Sequence, residues 1–237
     1  MNVVLLRVGI DTGCGGIHSP LFRDGTFEFV PIPDSRGLDG RTYGNSKGRA
    51  GRAFAEYFPK RRREEARLQA MHVDPEFESF TYGDPTPPKR GLAKMQPGDL
   101  LVFYAGMEGW GHPDEPALYL AGLFRVELAG FAPDFTSAQL QREFRHNYHV
   151  RHRTIFAEQR ERLVLIKGGR GSRLFRTAHL VGETVQRANG TSWQLITPQM
   201  ENVFGKFGGI GSLQRSTPRW VEENLVSKAE SFVESLD

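Results

Sequence analysis

The chain has 237 residues, 38 % hydrophobic and 25 % charged, with a formal net charge of +3. Its mean hydropathy is -0.45, a soluble globular composition with enough material for one sizeable core, and no apolar run approaches the roughly 20 residues a membrane span needs. The lone cysteine, Cys14, excludes an internal disulfide framework and a cysteine-based zinc cluster.

Charge is uneven along the sequence. Residues 36–67 and 142–176 are rich in arginine and interleaved with Tyr43, Phe54, Tyr57, Tyr148 and Phe156, whereas 222–237 is acidic. Basic stretches with aromatics read either as a phosphate-facing surface or as solvated faces. The N-terminus is apolar only briefly and lacks the basic start of a secretory signal, so a cytoplasmic location is expected.

In chain order, residues 2–11 form a nearly continuous apolar run, the pattern of a buried strand. It ends in Asp11-Thr12-Gly13-Cys14-Gly15-Gly16, followed by His18. Exposed N–H groups there are candidates to cradle phosphate, but the spacing is neither Walker nor Rossmann and no helix follows, so nucleoside triphosphate binding is set aside. Asp24-Gly25 marks a hairpin turn into a second strand, 27–30, which Pro31 ends. Residues 35–51 have the composition of a long irregular loop, and 60–71 that of a helix.

The segment His72-Val73-Asp74-Pro75 to Tyr82-Gly83-Asp84 concentrates ionisable groups. His72 and Asp74 are candidates for general acid–base work, alone or with Asp84; the competing reading makes the Asp-Pro and Gly-Asp-Pro steps simple turns. Residues 98–128 then read as two apolar strands flanking a polar loop with Glu108 and Trp110, the first candidate for ligand contact. Thr136 and Gln139 fit a capping box for the helix that follows. His146, His149 and His152 recur every three residues, which raises metal binding; it is set aside because no nearby carboxylate completes a ligand set and arginines flank the run. Residues 162–167 form a strand, and the turn holding Arg170, Ser172 and Arg173 is suited to an anion. Residues 206–212 form another glycine-rich loop, with Arg215 beyond it. Thr217 and Pro218 open a final helix over 218–236 that packs on the barrel.

The stretch GDLLVFYAG … YLAGLFRV is similar to the paired strands of PUA-like domains of the EVE and ASCH type. Together with LLRVGIDTGCGGIHSPLFRDGTFEFVPIPD, HVDPEFESFTYGD and FGGIGSLQRSTPRWV, it resembles the nucleotide modification associated domain 3 family over nearly the whole chain. The resemblance implies an α+β fold, a mixed PUA-like β-barrel elaborated with helices and long loops in one domain spanning 1–237. It also implies a setting among modified DNA bases, and it carries no catalytic residue over.

Two functions follow as expectations. The first is recognition of a nucleobase, modified or not, in nucleic acid (DNA ahead of RNA) or as a nucleotide. In it Tyr82, Tyr104 or Trp110 stacks, Asp84, Glu108 or Asp114 reads an edge, and His149, Arg151, Arg170, Ser172, Arg173 and Arg215 meet phosphate. The second is an enzyme acting on a base or nucleotide, centred on Asp11, Cys14 and His18 or on His72 and Asp74. ASCH-type hydrolases that use lysine and carboxylate are a cysteine-free version of the second. No cofactor, metal or membrane is expected, and partner proteins of a modification or defence system are a third expectation.

Overall fold

In a computed structural model, which describes residues 1–186, 190–213 and 217–237, the two most apolar runs of the sequence lie side by side at the centre of a sheet. The strands in chain order are β1 (Val3–Arg7), β2 (Ser19–Leu21), β3 (Ile32–Pro33), β4 (Met71–His72), β5 (Thr81–Asp84), β6 (Leu100–Gly109), β7 (Ala117–Phe131), β8 (Val164–Gly168), β9 (Arg173–Gln186), β10 (Ser192–Ile196) and β11 (Arg219–Trp220). The α-helices are α1 (Arg63–Leu68), α2 (Ser137–Glu143), α3 (Tyr148–Arg151), α4 (Arg153–Gln159), α5 (Pro198–Phe204) and α6 (Val226–Glu234). None of the helices among the described residues is long and apolar enough to cross a membrane.

Among the described residues, nine strands join one sheet whose main path runs β10-β9-β7-β6-β1-β11, with β2 on β6 and with β8 bridging β7 and β5. Only β1 and β2 run parallel to β6; the other pairings are antiparallel. Side chains alternate along β1 and β6. Val3, Leu5, Val102 and Tyr104 enter one core cluster, while Val4, Leu6, Leu101 and Phe103 enter another. A strand buried on both faces has no polar face to show, which is why these runs are continuously apolar.

The expected barrel is corrected to an open sheet, because β10 and β11 end its path. The reason lies in β7, a 15-residue strand that changes partners along its length. Leu118 to Leu123 pair with β9, and Val126 to Phe131 pair with β8. Register shifts on both pairings, and another opposite Phe103 and Tyr104, bend the strand. The sheet therefore splits at β7.

Two further expectations change. Residues 27–30 make no strand ladder, only isolated bridges at Thr26 and Phe27, although Asp24 does close the turn through the Thr26 N–H and hydroxyl. The last helix begins at Val226, because Arg219 and Trp220 first pair with β1 and cover an edge that would otherwise leave N–H and C=O groups unpaired. The capping box at α2 is present as read: Thr136 Oγ1 accepts from the Gln139 N–H, and Gln139 Oε1 accepts from the Thr136 N–H.

Candidate functional site

A cleft of about 590 Å³ opens beside the end of β1. Segments distant in sequence build it: Arg7 with the first glycine turn (Asp11, Gly13, Cys14), Ile32 of β3, the stretch from His72 through Lys89, and His149 at the start of α3. β1 delivers the glycine turn, whose shape Asp11 fixes by accepting the N–H groups of Gly13 and Cys14 and pairing with Arg7 at 3.2 Å. β5 delivers Tyr82 and Asp84 through its ladder with β8. His149 arrives because α3 crosses β5 at Gly83: a Cβ there would stand 2.8 Å from Asn147 Oδ1 and 3.0 Å from His149 Cδ2. Asn147, fully buried, caps α3 by accepting the His149 N–H.

Within the cleft, Asp74 lies at the centre of a buried polar cluster. Its carboxylate accepts the Gly83 N–H at 3.0 and 3.2 Å and lies 3.5 Å from His149 Nε2 and 3.9 Å from His72 Nε2. His149 Nδ1 is 2.7 Å from Gln159 Oε1, an acceptor, so this nitrogen carries the proton. His72 stacks on Tyr148, with ring centroids 3.9 Å apart, and its buried Nε2 makes no hydrogen bond among the described residues. Burial pushes Asp74 up to about 6, against the opposing pull of His149 and the Gly83 N–H. Burial also lowers His72 to about 3, reinforced by His149, so its imidazole is neutral at physiological pH. For His149 burial acts downward, but the Asp74 carboxylate 3.5 Å away outweighs it and the net shift is upward.

Asp84 and Lys89 also line the cleft. Asp84 Oδ1 accepts the Thr86 N–H and hydroxyl, and its Oδ2 accepts the Tyr82 hydroxyl and lies 3.7 Å from Lys89 Nζ. Cys14 also lines the cleft, but burial, and then the Asp11 charge, raise its thiol above the ordinary value. A thiol held protonated is a poor nucleophile. His18, proposed as its partner, instead faces Glu108 at 3.4 Å and lines a different cavity with Trp110.

The remaining sequence candidates lie elsewhere. Tyr104 is fully buried and donates its hydroxyl to the Leu213 carbonyl, so it has no ring face open to a base. The ring of Tyr82 is packed in the core against Phe103, and only its Asp84-bonded side borders the cleft. Trp110 packs edge-on against Phe22 and Tyr57, with the Arg52 guanidinium 5.1 Å over its ring. Arg151 and His152 both engage Asp39, tying residues 35–51 to α3. Ser172 accepts the Arg125 N–H, and Arg170 is exposed on the β8–β9 turn, outside the cleft. Arg215 lies outside the described residues.

Arg173 donates to the carbonyls of Gly171, Val233, Glu234 and Leu236, which anchors the end of α6. Arg173→Ala is accordingly expected to cost about 2 kcal/mol and to speed hydrogen exchange in α6, while leaving ligand binding in the cleft unchanged. A loss of ligand affinity in this variant would support its reading as a phosphate contact.

A second cavity, of about 630 Å³, is lined by Glu28, Arg49, Glu76 and Arg173 among others. These charged groups are committed to structure: Glu28 and Glu76 accept backbone N–H groups, and Arg49 and Arg173 donate to backbone carbonyls. The smaller cleft is the better site because it holds the buried ionisable cluster with shifted proton affinities.

The family model for nucleotide modification associated domain 3 (Nmad3) matches residues 2–234. The chain belongs to this family. No curated protein and no solved structure matches it. The Nmad3 name points to a setting in nucleotide modification and specifies no reaction. In this Nmad3 chain the glycine turn and the segment from His72 to Asp84, from two of the four stretches that carried the resemblance, line the same cleft. What the sequence did not reveal was Lys89 and Gln159: neither stands in a motif, and each gains meaning only beside Asp84 or His149.

Proposed function

We propose that this Nmad3 chain binds a nucleobase or nucleotide in the cleft between the first glycine turn and the segment from His72 to Lys89, within a nucleotide-modification system. The observation that carries this reading is the pairing of Asp84 and Lys89, an acceptor and a donor 3.7 Å apart on the wall of a cleft of about 590 Å³. Base edges present donors and acceptors side by side, and a cleft of this size is within the usual range for small ligands. Arg7 and Lys89 are each matched by a carboxylate, so the base rather than the phosphate chain is the recognised part. A base presented by DNA, rather than RNA, is the polymer form of the same reading.

A second reading is enzymatic action on that base. It is favoured by the buried His149–Asp74 pair, whose proton affinities are displaced in the direction acid–base chemistry uses.

The test is equilibrium binding of nucleosides, nucleotides and matched oligonucleotides with and without modified bases, across a salt series. Asp84→Asn and Lys89→Met are expected to weaken binding by about 10- to 100-fold, the scale of one charged hydrogen bond. The salt slope should be shallow because few phosphates are engaged. Absence of binding to every member of the panel, or affinity indifferent to both substitutions, would overturn the proposal. Mass spectrometry of the same mixtures reports the enzymatic reading.

A further inference from the structure

The three atoms that converge beneath the cleft are all lone-pair donors. One nitrogen each from His72 and His149 and one carboxylate oxygen from Asp74 lie within 4.8 Å of one another. Because Gln159 Oε1 accepts the hydrogen bond of His149 Nδ1–H, a neutral His149 turns a bare Nε2 toward Asp74 Oδ2 at 3.5 Å. That distance is too long for a well-formed charged hydrogen bond, which runs to about 2.7–2.9 Å. His72 Nε2, 3.9 Å from the same oxygen, is buried and makes no hydrogen bond among the described residues. Buried polar atoms without a partner are uncommon and call for an explanation.

From this geometry we infer that His72, Asp74 and His149 form a binding site for one divalent transition-metal ion, such as Zn²⁺ or Fe²⁺. Nitrogen and oxygen ligands stand about 2.0–2.2 Å from such an ion, which places tetrahedral neighbours roughly 3.4 Å apart. The two edges to Asp74, 3.5 and 3.9 Å, need shifts of tenths of an ångström, and the third edge, between the imidazole nitrogens and within 4.8 Å, closes by about 1.4 Å at most. Two imidazoles and one carboxylate suit a transition metal better than Mg²⁺ or Ca²⁺, which prefer all-oxygen shells. Three protein ligands also leave a position open toward the cleft for water or a ligand atom.

The surroundings have the features of a supported site. Gln159 orients one imidazole, the Gly83 N–H holds the carboxylate, and Tyr148 stacks on the other imidazole. The charges of Asp34 and Asp84 act on the cluster and favour a cation. The cluster joins β4, the residues just after it, and α3. It differs from the trio His146, His149 and His152, of which the outer two turn away: His146 toward Arg145 and His152 toward Asp39.

The site lies in the cleft proposed for base recognition, but metal binding does not require that reading, so it is tested on the protein alone. Untagged, chelator-stripped protein is titrated with Zn²⁺, Co²⁺ and Mg²⁺ by calorimetry, and the Co²⁺ complex is read by its ligand-field absorption. One Zn²⁺ or Co²⁺ per chain is expected, with no Mg²⁺ binding at the same concentrations. His72→Gln and His149→Gln should each lower affinity more than the roughly 10- to 100-fold typical of an outer-shell change, and Gln159→Ala by about 10-fold. His146→Ala and His179→Ala should change nothing. Circular dichroism separates lost binding from lost folding, and the wild-type stoichiometry needs no variant. Wild type that binds no stoichiometric Zn²⁺ or Co²⁺, or undiminished binding in a folded His72→Gln, overturns the site and leaves a His149–Asp74 ion pair. Metal binding without nucleotide binding would instead sink only the proposed function.

Discussion

Phe103→Ala is expected to destabilise the protein by about 3–5 kcal/mol, the usual cost of deleting a buried aromatic ring, and to lower the melting temperature by roughly 10 °C. Phe103 is fully buried on β6, with ring centroids 4.7 Å from Phe124, 5.5 Å from Phe77 and 6.1 Å from Tyr82. Phe77 and Tyr82 belong to the same segment that carries Asp74 and Asp84, so the cavity left by Phe103 lies directly behind one wall of the cleft. The variant should therefore lose ligand affinity as well as stability. Phe204→Ala is the matched control: that ring is equally buried, but in the other core cluster, against Phe232 of α6. It should melt earlier with the cleft intact. Equal losses of ligand affinity in the two variants would show that the cleft is not specifically coupled to Phe103.

Glu28→Ala is expected to cost about 2–4 kcal/mol, because it removes a buried charged acceptor from several donors at once. The Glu28 carboxylate, 2 % exposed, accepts the N–H of Arg49 at 2.8 Å and of Ala50 at 2.5 Å, and lies 3.4 Å from the Tyr57 hydroxyl. Gly48 makes room for it: a Cβ at that position would stand 2.1 Å from Glu28 Oε2. Without the carboxylate, the N–H groups of 49 and 50 lose their partner and the loop must open to water to find another. Limited trypsin digestion should then cut at Lys47, Arg49 and Arg52 well before the wild type is cut. Glu28→Gln should be intermediate, since one amide oxygen remains while the NH₂ faces a donor. Wild-type resistance in Glu28→Ala would mean that the loop is held by Arg49 and its carbonyl partners instead.

The central strands, the α2 cap and the closed Asp24 turn were legible because each is a local matter. Apolar runs must be buried, Thr136 and Gln139 reach each other within one helical turn, and Asp24 closes on Thr26. Open sheet versus barrel was not local, because it depends on which partner each half of β7 takes. Nor was the start of α6, since Thr217 and Pro218 read as a helix start until the edge of β1 claims the next residues.

The site divides along the same line. The sequence by itself determined that residues 11–16 and 72–84 were dense in functional groups and that residues 146–152 held spaced histidines. The tertiary structure alone decided that His149 leaves its neighbours in the chain to face Asp74, with Gly83 allowing the approach. It also decided that Arg151 bonds to Asp39, Arg173 to carbonyls at the end of α6, and Tyr104 to the Leu213 carbonyl. A residue's chemistry is written in its own side chain, but its partner is fixed by contacts between distant segments, and those form only when the core brings the segments together.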